Sequence, residues 1–139
     1  MKVSIVYWSG TGNTEAMANA VAEGALGSGA EVELLPVSAA DEGVLESDAI
    51  LLGCPAMGAE QLEESEFEPF FSSIEGKLAG KRVGLFGSYD WGDGEWMRTW
   101  QERVVSAGGN MVADGIIANN APDGDALAAC KSLGANAAK

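Results

Sequence analysis

Along the chain, short and nearly unbroken apolar runs alternate with longer stretches in which apolar residues recur every three or four positions. Residues 3–7 (VSIVY) and 48–54 (DAILLGC) are runs of the first kind and predict strands covered on both faces. Residues 31–37, with Pro36 near the end, and 81–89 (KRVGLFGSY) predict two more strands, and 110–119 a fifth. Helical spacing over 13–28 places Met17, Ala18, Val21, Ala22 and Ala25 on one face. Further helices are predicted over 68–74, 94–107 and 123–138, with a short one over 41–46; Gly108-Gly109 supplies a C-terminal stop. Five strands alternating with five helices predict an α/β fold, a single doubly wound five-stranded parallel sheet with helices on both faces. Ligands of such sheets lie beyond the carboxyl ends of the strands. The loops after Tyr7, Cys54, Ser88 and Asn119 are therefore where chemistry is expected.

Composition narrows the field. The 139 residues, 47% of them apolar, fit one domain, expected to span 1–139. No apolar run reaches the ~18 residues of a membrane span, and the first residues lack a signal peptide's apolar core, so a cytoplasmic address is expected. Histidine is absent, which removes the commonest general base and metal ligand and argues against triad hydrolases and zinc enzymes. Cys54 and Cys130 form no C-x-x-C pair and are expected as two reduced thiols. The net charge of -13 disfavours nucleic acid and anionic lipid, and steers the protein toward basic partners.

The loop after the first strand reads Ser9-Gly10-Thr11-Gly12-Asn13-Thr14. Its two glycines allow a tight turn, its hydroxyl and amide side chains are donors, and the following helix presents its positive end to the same point. This is an anion site that needs no lysine. A P-loop would require a lysine after Gly12, and a dinucleotide fingerprint a third glycine where Glu15 stands.

The motif Trp8-Ser9-Gly10-Thr11-Gly12-Asn13-Thr14 resembles the phosphate-binding signature of flavodoxins, in particular the short-chain type of anaerobic bacteria. The segments 52–58 (LGCPAMG), 63–70 (EESEFEPF) and 85–96 (LFGSYDWGDGEW) extend the resemblance, in order and spacing, over essentially the whole chain. It implies the strand order 2-1-3-4-5, FMN as cofactor, and no enzymatic reaction of its own. Implied is a monomeric low-potential one-electron carrier, cycling between neutral semiquinone and anionic hydroquinone. Its partners would be basic-surfaced redox proteins, such as ferredoxin or flavodoxin reductases and other low-potential oxidoreductases. By the same resemblance Ser9, Gly10, Thr11, Gly12, Asn13 and Thr14 would bind the FMN phosphate. Met57, within the stretch Pro55, Ala56, Met57, Gly58, Ala59 and Glu60, and Trp91, from the later loop, would cover opposite ring faces. Glu60 would accept a hydrogen bond from the flavin N3–H, and Gly58 would turn its peptide on reduction. Ser88, Tyr89, Asp90, Trp91 and Gly92 would line the pyrimidine side, joined by Asn120. Asp90 departs from the family, which generally has glycine there; a left-handed backbone at this position would be strained.

Other functions on this architecture fit the residues less well. An FMN-dependent quinone or nitro reductase would need a substrate pocket and proton donor that no insertion or histidine supplies. A phosphoacceptor domain needs an acidic cluster where the first strand ends in Tyr7-Trp8-Ser9, and a cysteine phosphatase needs arginine where Glu60 stands.

Overall fold

The protein is described by a computed structural model covering residues 1–58 and 60–139. The described residues form six strands and four α-helices in the order β1 Lys2–Tyr7, α1 Asn13–Gly27, β2 Glu31–Pro36, β3 Ala49–Gly53, α2 Phe67–Glu75, β4 Arg82–Tyr89, α3 Glu95–Ser106, β5 Asn110–Met111, β6 Ile116–Asn119 and α4 Gly124–Ala137. The sheet is parallel throughout, in the order β2-β1-β3-β4-β5, with β6 also pairing with β4. β1 and β3 lie at its centre, which explains why their sequences are almost wholly apolar.

Alternation along the strands divides the interior into two cores. Val6, Ile50, Leu52, Val83 and Leu85 face α2 and α3, where Phe67, Phe71, Trp96 and Trp100 pack. Val3, Ile5, Leu51 and Phe86 face α1 and α4. Trp100 meets Phe67 and Phe71 edge to face, so it fills the core on the α2–α3 side. Both cysteines are free and buried, and burial pushes the Cys54 thiol up to about 12, making it inert.

Two expectations are corrected. The expected helix over 41–46 is a 3-10 turn, Glu42–Glu46, begun by the Asp41 carboxylate accepting the Gly43 N–H at 2.8 Å, so the α-helices number four among the described residues. The expected fifth strand over 110–119 is two strands. Arg82 pairs with Asn110, but Phe86 pairs with Ile116, so two extra residues are accommodated between them. α3 occupies this break: the Gln101 side chain takes the Gly115 N–H at 3.0 Å, and Met97 fills the space a Cβ at Gly115 would need.

Candidate FMN site

At the carboxyl ends of β1, β3, β4 and β6 a cleft of about 260 Å3 opens. Its walls are Trp8, Gly10, Thr11, Asn13, Thr14, Pro55, Ala56, Met57, Ser88, Tyr89, Asp90 and Asn120. A larger groove of about 550 Å3 lies along α3 and offers no anion cradle, so loop chemistry rather than size locates the site.

The first wall is the loop before α1. Gly12 has φ 93°, a left-handed conformation natural to glycine, and no side chain of that residue caps the helix. The Ser9 hydroxyl accepts the N–H groups of Gly12 (3.1 Å) and Glu15 (3.2 Å), which shapes the loop and leaves the Ser9 O–H free to donate. Ser9 and Gly12 shape the loop without lining the cleft. Thr14 is buried, with its Oγ1 3.0 Å from Ser88 Oγ and accepting the Ser88 N–H at 3.3 Å. That pair fixes the first loop to the end of β4.

The second wall is a short hairpin after β3. Met57 and Gln61 exchange backbone hydrogen bonds at 2.9 and 3.1 Å. Gly58 is exposed at its tip with φ 44°, and Glu60 adopts φ 55°, a strained conformation for a non-glycine residue. Ala59, expected among the lining residues, lies outside the described residues. Both Glu60 carboxylate oxygens are buried with no hydrogen-bond partner among the described residues. A buried carboxylate left this way costs several kcal/mol unless a donor meets it, so this position calls for a hydrogen-bond donor. A Cβ at Gly92 would fall on this carboxylate, which explains the glycine.

The third wall, 88–92, is buttressed by Asn119, whose Nδ2 donates to the carbonyls of Tyr89 (3.3 Å) and Asp90 (3.4 Å). Asn120 takes φ 59° and donates its N–H to the Tyr89 carbonyl at 2.7 Å. Asp90 is not left-handed, so its place in the loop carries no backbone strain. Trp91 is 63% exposed at the rim, not among the lining residues. Electrostatically the rim is acidic. Glu60, Asp93 and Glu95 bring carboxylate oxygens within 4.8 Å of one another, and the nearby Arg98 is engaged by Asp93 at 3.2 Å.

Two further residues shape the site. Trp8 lines the cleft and lies where a Cβ at Gly10 would sit; its position just before that glycine was the available signal. Glu63 turns inward, 7% exposed, and caps α2. Its carboxylate accepts the N–H groups of Ser65 (2.8 Å), Glu66 (2.8 Å) and Phe67 (2.9 Å). Burial alone would raise its pKa, but the three donors outweigh burial and hold it below the usual carboxylate value. A lowered folded pKa contributes stability above the unfolded value, and that stability is lost as pH falls through the folded one. Glu63→Gln should therefore lower stability at pH 7 by about 1–2 kcal/mol and flatten its decline between about pH 5 and 3, as read by urea unfolding across pH.

The fold is that of a doubly wound α/β protein with its cleft at the strand ends, and comparison with known proteins gives its class. The flavodoxin family model matches residues 5–134. The chain is 51% identical to the flavodoxin of Megasphaera elsdenii over 138 residues, covering 99% of this chain and 98% of that one. It is 52% identical to the flavodoxin of Clostridium beijerinckii over 122 residues, 87% and 88% of the two chains. The solution structure of two-electron reduced Megasphaera elsdenii flavodoxin superposes with a TM-score of 0.87 at 50% identity, over 98% of each chain. The chain belongs to the flavodoxin family: it is an FMN-binding electron carrier rather than an enzyme.

Proposed function

We propose that residues 1–139 form one FMN-binding unit, a cytoplasmic, monomeric, low-potential carrier that works between the neutral semiquinone and the anionic hydroquinone and serves basic-surfaced redox proteins. FMN supplies the one-electron chemistry, and the chain decides which charge state is comfortable. The observation that carries the reading is the acidic rim of Glu60, Asp90, Asp93 and Glu95, whose neighbouring cation, Arg98, is already paired with Asp93. Added negative charge beside such a rim is disfavoured, which lowers the second potential.

The residue roles follow the cleft. Gly10, Thr11, Asn13 and Thr14, with the Ser9 hydroxyl and the Gly12 turn, would hold the phosphate at the start of α1. Met57 would cover one ring face and Trp91, from its exposed position, the other. Glu60 would accept the ring N3–H. Pro55, Ala56, Ala59, Ser88, Tyr89, Asp90, Gly92 and Asn120 would complete the walls. At Gly58, leaving aside its chain neighbours, none of the described residues lies within 4 Å of a would-be Cβ, which supports a peptide free to turn on reduction.

Potentiometric titration tests this. The second potential should lie well below the first, and Asp90→Asn should make it less negative by about 20–40 mV, the scale of one exposed charge acting on a one-electron step. A second potential at or above the first overturns the reading.

A further inference from the structure

The 550 Å3 groove lies between α3 and the β5–β6 edge. Met97, Val105 and Ile117 form its apolar surface, and the last two are 57% and 40% exposed. Arg98 touches the groove, but both of its terminal nitrogens are engaged by Asp93, one on the carbonyl and one on the carboxylate. Glu102 and Asp114 on the rim have no ion pair among the described residues. On the opposite face of the same edge, Asp125 lies beside β6, also with no ion pair among the described residues.

β6 itself is an open edge, pairing only with β4. The Asn120 N–H continues that ladder onto the Tyr89 carbonyl. Alternation in a parallel ladder then turns the N–H and C=O groups of Ile117 and Asn119 away from β4, toward the open side. Exposed edge groups beside an apolar groove are a template for one more strand, and pockets for alternate side chains set what that strand must be. Here one face asks for apolar side chains and the other for positive ones, on a chain of net charge -13.

We propose that the β6 edge docks an extended segment of a redox partner in which lysine or arginine alternates with apolar residues. The apolar side chains enter the groove against Val105 and Ile117, and the basic ones face Asp125. Because β6 runs into Asn119 and Asn120 at the FMN cleft, a segment bound there ends beside the cofactor. The redox character of the partner rests on the function proposed above, whereas the docking chemistry does not.

The test is an amide-shift titration of the 15N-labelled, FMN-loaded protein with a short blocked peptide of alternating lysine and valine at low salt. Saturable shifts should concentrate on residues 114–119 and the Val105 face of α3. The same peptide with serine for valine should bind more weakly. Val105→Lys and Ile117→Lys should each weaken binding about tenfold with the FMN spectrum unchanged. Two variants on different elements separate docking from local disturbance of β6. Equal binding of the two peptides, shifts scattered over the acidic surface, or no shifts would overturn the proposal. So would edge shifts that depend on protein concentration alone, since the occupant would then be a second copy. None of these outcomes touches the electron-carrier reading, which stepwise reduction tests separately.

Discussion

Gly92→Ala is expected to weaken FMN binding about 100-fold while leaving the apoprotein folded. Gly92 has φ 93°, and a Cβ there would fall on the buried Glu60 carboxylate. A left-handed alanine costs about 1–2 kcal/mol. Displacing Glu60 would remove the hydrogen bond proposed between its carboxylate and the cofactor, worth about 1.5–3 kcal/mol. The strain is borne with and without FMN, so the lost hydrogen bond, at about 3 kcal/mol, sets the expected factor. Flavin fluorescence quenching on titrating apoprotein with FMN measures it, and circular dichroism confirms the fold. Gly12→Ala is an informative comparison: it carries the same φ of 93° but nothing lies within 4 Å of the new Cβ. It should lower stability by that strain and weaken FMN binding by less. An unchanged affinity in Gly92→Ala would mean that Glu60 does not meet the cofactor.

The largest stability loss is expected between α1 and α4. A Cβ at Gly24 would fall on the Lys131 carbonyl, and one at Gly134 on the Val21 carbonyl, so the two helix backbones are in direct contact. Backbone cannot swing aside as a flexible side chain can, and the helices must separate. Gly24→Ala and Gly134→Ala should each cost about 3 kcal/mol, lowering Tm by about 10 °C, and the double variant should cost less than the sum. Gly27→Ala, at the end of the same helix, meets nothing within 4 Å and should be neutral or stabilising by up to about 1 kcal/mol. Losses of similar size at all three positions would contradict the close packing.

These contacts mark the limit of what a sequence discloses. The central strands are legible because burial on both faces leaves them almost wholly apolar, as in 48–54. The break between β5 and β6 is not, because it depends on Met97 and Gln101 reaching across from α3, and nothing in the run 110–119 marks the two extra residues. The four site loops are legible from strand ends and from the Gly, Ser and Thr residues that an anion cradle requires. Glu63 is not, because glutamate rarely caps a helix and its role appears only when the chain folds back to place three N–H groups around it. The strain at Glu60 and the burial of its carboxylate are likewise products of the Met57–Gln61 hairpin, not of composition.

The most direct test is stepwise anaerobic reduction of the FMN-loaded protein followed by visible absorbance. A yellow protein that releases FMN on denaturation should become blue near one electron per flavin and turn pale with the second. A protein that takes up no FMN, or one that passes from yellow to pale with no blue form, would contradict this.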